Sequence, residues 1–226
     1  MSGAAFFDLD RTLISRSSSL SLAPAFHRLG LLRRRDRAKA RLAQFLFVRY
    51  GAGPSRVGQT ADSGMAFLKG MPVETMREIV QESMDTAFMP HVYRDALDLV
   101  ARHRERGEKS FVVSAALQEI VDALVSELGL DGGRGSAAEV EDGVYTGRLL
   151  RRLDGRAKVE ALGDLASTDG IDLAESTAYS DSAADVPFLE AVGYAVAVNP
   201  DRKLRGVAAE RGWRVLRFSD KAFPAR

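Results

Sequence analysis

Apolar positions along this chain follow two rhythms. Ala4-Ala5-Phe6-Phe7 is a short unbroken apolar run that ends in Asp8-Leu9-Asp10, the pattern of a buried strand running into a polar loop. From Ser15 to about Met89 the spacing becomes helical: Leu20, Ala23, Phe26 and Leu29, then Ala38, Leu42, Phe45 and Leu46, recur three or four residues apart. Ser17-Ser18-Ser19 supplies a helix cap, Gly51-Ala52-Gly53-Pro54 breaks the block, and Pro72 with Glu74 opens another amphipathic helix through roughly Thr86. This block contains no pattern of a strand.

Beyond Pro90 helix and strand alternate. A helix runs through about Arg106 to a Gly107 stop, Ser110-Phe111-Val112-Val113 reads as a second buried strand, and a helix over 117–128 ends at Gly129. Ala137 to Leu149 alternates around Glu141-Asp142-Gly143 as an inserted β-hairpin. A helix from about Arg156 to Ser167 is followed by strand 176–180, helix 185–191, strand 194–198, helix 201–211 and a last strand over 213–218. Repeated βα units of this kind imply an α/β fold, a Rossmann-like parallel sheet with helices on both faces. The expected organisation is a core of residues 1–14 and 90–226 with an all-helical cap, 15–89, inserted after the first strand.

Composition narrows the function classes. With 226 residues, 46% hydrophobic and 28% charged, the chain is long enough for a core plus an insertion, and its zero cysteines exclude disulfides, cysteine-ligated zinc, iron–sulfur clusters and thiol catalysis. No apolar run approaches the ~18 residues of a membrane span, and acidic residues arrive too early for a signal peptide, so the expected location is the cytoplasm. A net charge of +1 gives no reason to expect nucleic acid. That near-neutrality is a cancellation. Arg28 to Arg49 carries eight basic residues against one acid, so the remainder holds six more acids than bases. Segment 28–49 reads first as a helix with a solvated basic face. It also suits weak attraction to an anionic membrane surface or a polyanionic substrate.

Open parallel sheets bind ligands at the carboxyl ends of their strands. Those ends deliver Asp8-Leu9-Asp10-Arg11-Thr12, then Ser114, then Asp181-Ser182-Ala183-Ala184-Asp185, with Lys158 near a helix start. Carboxylates, a hydroxyl and a lysine gathered in this way suit a magnesium-bound phosphate. Singly, each has an ordinary explanation as a turn cap, a strand end or a surface lysine; jointly and in order they do not. The Gly51-Ala52-Gly53 and Gly132-Gly133-Arg134-Gly135 runs read as loop glycines, because neither has dinucleotide or P-loop spacing. His27, His91 and His103 lack metal-ligand spacing and read as solvated or singly hydrogen-bonded, and Trp213 as packing at the start of the last strand.

Phe7-Asp8-Leu9-Asp10-Arg11-Thr12-Leu13, Val113-Ser114, Lys158 and the Asp181/Asp185 pair resemble the four ordered motifs of the haloacid dehalogenase superfamily of phosphohydrolases. The helical insert after the first motif, with Tyr145-Thr146-Gly147 and Tyr179-Ser180-Asp181-Ser182, is similar to its subclass IB, the phosphoserine-phosphatase-like branch. The resemblance implies a Mg²⁺-dependent phosphomonoesterase acting on a small phosphorylated metabolite. Asp8 would be the nucleophile that forms an aspartyl-phosphate, and Asp10 the general acid and base. Asp8, the Asp10 backbone carbonyl and Asp181 would hold the metal, with Asp185 orienting that shell. Ser114 and Lys158 would bind the phosphate, and Thr12 would fix the loop. A phosphomutase on the same scaffold, or a non-catalytic module using the basic cap, are the alternatives.

The chain departs from phosphoserine phosphatases where they contact their substrate. Ser17 stands in place of the glutamate that meets the amino group, and Gly64 in place of the cap arginine that meets the carboxylate. A zwitterion would be left with both charges unpaired, which disfavours phosphoserine. Ala184 replaces an asparagine, and Leu150 to Gly155 departs from the usual approach to the lysine.

Overall fold

All four residues of β1 (Ala4–Phe7) are buried, because the strand lies mid-sheet and both of its faces are covered. The computed structural model describes residues 2–30, 65 and 68–223. Among these, seven strands form one sheet in the order β4-β3-β2-β1-β5-β6-β7, where β2 is Lys109–Leu117, β3 Gly132–Glu141, β4 Val144–Arg151, β5 Thr177–Ser180, β6 Tyr194–Val198 and β7 Arg214–Leu216. Every pairing is parallel except β3 with β4. The Rossmann-like α/β fold is therefore as expected.

The period of two in β1 sorts its side chains between two cores. Ala5 and Phe7 face a cluster that includes Val112, Tyr179 and Val198; Ala4 and Phe6 face one that includes Phe111, Val113, Ala178 and Ala197. Aromatic stacking ties neighbouring strands together on each face, with Phe7 on Tyr179 at 4.5 Å and Phe6 on Phe111 at 5.6 Å.

The described part of block 15–89 is helical: α1 (Ser18–Ser21), α2 (Ala23–Arg28) and α3 (Val73–Ser83). The helix expected through Thr86 instead ends at Ser83 and widens into a π-helical turn, Met84–Phe88. Residues 31–64 lie outside the described residues, and with them the helical readings there, Gly64 and most of the basic segment 28–49. Leu22, Phe26, Met76, Val80 and Phe88 join the cluster that covers the Phe7 face. The chain enters and leaves this block side by side: Ile14 bridges Val92, and the Tyr93 N–H donates to the Leu13 carbonyl at 2.9 Å. Its return leg is held by β4, through Gly70 N–H to Tyr145 O at 2.8 Å and Tyr145 N–H to Met71 O at 2.9 Å. Later in the chain follow α4 (Arg94–Glu105) and α5 (Gln118–Leu128), which pack on the Phe7 face, and α6 (Arg156–Asp169), α7 (Val186–Glu190) and α8 (Arg202–Arg211), which pack on the Phe6 face.

Three sequence readings need correction. β2 continues past Ser114 to Leu117, and β3 begins at Gly132, so the Gly132–Gly135 run is strand and not loop. A Cβ on Gly133 would lie 2.5 Å from Val121 Cγ1, and one on Gly135 would lie 2.8 Å from the Gln118 backbone. These glycines exist because α5 lies directly on β3, a close approach that a turn-like composition conceals. His103 is buried, with Nε2 at 2.7 Å from the Tyr179 hydroxyl and Nδ1 paired to Glu108, so it is neither solvated nor singly bonded. Trp213 precedes β7 as expected, beneath the Arg211 guanidinium at 5.2 Å. Gly133→Ala is expected to destabilise the fold by about 1–3 kcal/mol in urea denaturation, through overpacking against the stiff Val121 side chain.

Candidate active site

The register of the central strands decides which side chains meet. Phe7 is level with Val112 on β2 and with Tyr179 on β5, so Asp8, Ser114 and Asp181 all emerge at one edge of the sheet. Strand order reverses about β1, with β2 to one side and β5 to the other, which leaves a crevice at that edge. The Asp8 N–H donates to the Tyr179 carbonyl at 2.9 Å, extending the β1–β5 ladder to the base of the site.

Lys158, on the first turn of α6, is buried beneath this edge. Its ammonium donates to Asp8 Oδ1 and to Asp185 Oδ2, each at 2.7 Å, and lies 5.3 Å from the centre of the Phe188 ring. Burial pulls its pKa down, but the paired Asp185 and Asp8 carboxylates outweigh that and hold it above the ordinary lysine value. Asp185 also accepts from Ser180 Oγ at 2.7 Å. Its orientation is therefore set by two donors from separate elements.

The remaining carboxylates have less compensation. Burial pushes Asp8 up to about 7 against the pull of Lys158. Asp181 is pushed up to about 8 by burial and by the Asp8 charge, and its nearest cation, the Arg11 guanidinium, lies 3.8 Å away. Burial also raises Asp10, whose Oδ1 accepts from the Ser18 N–H at 2.9 Å at the start of α1, while the nearby Ser17 hydroxyl acts in the opposite sense. Two partly uncompensated carboxylates and a neighbouring backbone carbonyl are hard oxygen donors and fit Mg²⁺, which keeps several waters and needs few protein ligands. No cluster of three or more acidic or histidine side chains forms a closed cage among the described residues.

Ser114 is buried, and its Oγ accepts from the Ala116 N–H at 3.1 Å. Thr12 is fully buried, and its hydroxyl has no hydrogen-bond partner among the described residues. The turn that Thr12 was expected to fix is instead held by the Leu9 carbonyl, which accepts from the N–H groups of Thr12, Leu13 and Ile14 at 2.9–3.3 Å. Ser17 stands at the N-cap position of α1 without a side-chain capping bond, its hydroxyl beside Asp10, and Gly64 lies outside the described residues. The structure adds residues that the sequence reading left without a role. Arg11 holds a left-handed backbone (φ 63°) that aims it at Asp181, and the Asp201 N–H donates to the Asp181 carbonyl at 2.8 Å while its side chain caps α8.

The family model for haloacid dehalogenase-like hydrolase matches residues 5–190, spanning every element of this site. The chain belongs to that family. A probable phosphatase of Mycobacterium tuberculosis is 42% identical over 216 residues, covering 96% of this chain and 75% of its own length. A phosphoserine phosphatase of the same organism is 34% identical over 220 residues, covering 96% and 71%. Among solved structures, a Bordetella pertussis protein of unknown function superposes with a TM-score of 0.80 at 28% identity, over 96% of this chain and 98% of that one. This haloacid dehalogenase-like protein is a phosphoric monoester hydrolase of the phosphoserine-phosphatase-like branch. No helix among its described residues is long and apolar enough to cross a membrane.

The raised carboxylates make metal-free stability depend on pH. Asp181 and Asp8 bind protons in the folded state at pH values where the unfolded chain, with carboxyls near 3.8, does not. Stability therefore falls as pH rises through the folded pKa values. His103, lowered by burial, stays neutral in this range. In EDTA, the thermal midpoint is expected to drop by about 2–4 °C between pH 6.5 and 8.5, read by calorimetry.

Proposed function

We propose that the protein is a Mg²⁺-dependent phosphomonoesterase that cleaves a small organic phosphate through an aspartyl-phosphate on Asp8, with phosphoserine a poor substrate. The carrying observation is the Lys158 ammonium, 2.7 Å from both Asp8 and Asp185 at the mouth of the sheet crevice. A carboxylate that attacks a phosphate dianion meets like-charge repulsion, and a buried lysine on the nucleophile is the group that offsets it. Asp8, the backbone carbonyl of Asp10 and Asp181 would hold Mg²⁺, which supplies charge neutralisation at the phosphoryl oxygens when bound.

Lys158 engages one Asp8 oxygen and so fixes the carboxylate with the other directed to the phosphorus. Attack by that oxygen forms the O–P bond as the ester P–O bond breaks. Asp10, raised by burial, carries the proton that the departing alkoxide takes up. Ionised by that transfer, Asp10 next removes a proton from water, whose oxygen attacks the phosphorus, releasing inorganic phosphate and restoring Asp8. Ser114 and Lys158 bind the phosphoryl oxygens, and Asp185 keeps Lys158 in place.

Residues 15–89 act as a cap over this edge, an assignment supported by the pairing of its entry and exit at Ile14 and Val92. Closure would exclude bulk water from the phosphoryl group. Against phosphoserine stands Ser17: at the position of the amino-binding glutamate, its hydroxyl lies beside Asp10 and brings no charge.

Asp8→Asn is expected to reduce p-nitrophenyl phosphate hydrolysis by at least about 10³-fold, and Asp10→Ala by about 10²–10⁴-fold, with near-native circular dichroism. Retained activity in Asp8→Asn would overturn the aspartyl-phosphate route. Treatment with EDTA should abolish turnover and Mg²⁺ restore it; turnover indifferent to both would remove the metal from the reading.

A further inference from the structure

A cleft of about 200 Å³ opens between α1–α2 and the π-helical turn that ends α3. Arg16 and Arg28 line it together with the hydroxyl-bearing Ser21, Ser83 and Thr86, and among the described residues no acidic side chain lines it. Ser21 and Ser83 are buried. Among the described residues neither arginine forms an ion pair, although the chain supplies acidic partners to arginines elsewhere on its surface. Among the described residues, two cations and several hydroxyls converge on one concavity without a carboxylate.

The cleft is continuous in the chain with the candidate active site. Ser17, Ser21, Pro24 and Arg28 recur at intervals of three or four, so they share one side of the α1–α2 segment. The first of them lies beside Asp10, whose carboxylate accepts from the next residue, Ser18. Ser21 Oγ donates back to the Ser17 carbonyl at 3.1 Å, tying the wall of the cleft to the turn that holds Asp10. A substrate with its phosphate at Asp8 would extend its organic part past Ser17 and onto the arginine-rimmed cleft. With a water taking about 30 Å³, the volume suits a phosphate-sized group together with a short carbon chain.

We propose that Arg16 and Arg28 bind a second anionic group of the substrate, a carboxylate or a phosphate, and that the cleft excludes an ammonium group. This rests on the phosphatase reading and deepens it by naming the substrate class: organic phosphates with a negatively charged tail. Guanidinium groups recognise both anions through paired N–H donors, and hydroxyls add neutral donors. An ammonium in the same place would meet two like charges and no acceptor carboxylate. The class accounts for a chain that lacks the charged amino-group contact at Ser17 while placing Arg16 next to it and Arg28 farther along the same helical side.

The test is a matched series of alkyl phosphates, three to eight carbons long, ending in methyl, carboxylate, phosphate or ammonium, assayed with Mg²⁺. The value read is kcat/KM for each charged end divided by that for methyl at equal length, which cancels differences in active fraction between preparations. For the wild type we expect a ratio of at least about tenfold for an anionic end at its best length, and about one or below for ammonium. A larger ratio for carboxylate or for phosphate identifies the source of the charge. In the Arg16→Gln/Arg28→Gln double variant the anionic ratio should fall to within about threefold of unity, with the single variants between. Unaltered melting curves will establish that the variants fold. A wild-type ratio near one at every length, or a ratio unchanged in the double variant, overturns the proposal while p-nitrophenyl phosphate turnover upholds the phosphatase reading. Loss of all phosphate release by the wild type would overturn both.

Discussion

Lys158 joins three parts of the chain that are remote in sequence: Asp8 at the end of β1, Asp185 in the turn after β5, and its own helix α6. The ammonium is 3% exposed, so both of its bonds operate away from water, where an unpaired charge costs most. Removing one partner of such a buried pair typically costs about 3–5 kcal/mol, because the other charge is stranded. Here two carboxylates would be stranded together. The same contact that closes the β1–β5–α6 junction also orients Asp8, the proposed nucleophile, so the fold and the proposed chemistry share one side chain.

Charge compensation is uneven across the site, and that unevenness organises its chemistry. Asp185 has Lys158 and Ser180 as donors and serves as scaffold. Among the described residues Asp181 has only the longer Arg11 ion pair and keeps a raised pKa, so it is the carboxylate with the least compensation. Asp10, the proposed acid–base group, is held by the start of α1, outside the sheet. Behind the strands, half-buried Glu108 and buried His103 and Tyr179 form a polar chain whose last ring stacks on Phe7. It links α4 to the strand pair that leads into Asp8 and Asp181.

Much of this was legible in the residues. The apolar run Ala4–Phe7 followed at once by Asp8 and Asp10 requires a buried strand to release charge at its end, and Asp181 and Asp185 repeat that logic after β5. Lys158 was the weakest member of the set when read as sequence, since its approach from Leu150 to Gly155 is atypical, yet it is the residue most tightly engaged. The glycines of 132–135 misled for a physical reason. Glycine marks either a turn or a close approach of two backbones, and composition does not distinguish them. His103 misled because a histidine's partners, Glu108 and Tyr179, meet it only when α4 packs on the sheet.

Local chemistry is what the sequence by itself determined: the period of apolar residues, the βα rhythm, and the order in which carboxylates, serine and lysine arrive at strand ends and helix starts. These depend on neighbours within a turn or a strand, where steric and burial preferences act residue by residue. The tertiary structure alone decided that one lysine serves two carboxylates, that Asp181 is left with the least compensation, that α5 rests on a glycine-lined strand, and that Arg16 and Arg28 share a cleft. Each of those is a distance between separate elements of the fold. Such distances are set by packing and register, to which periodicity carries no information.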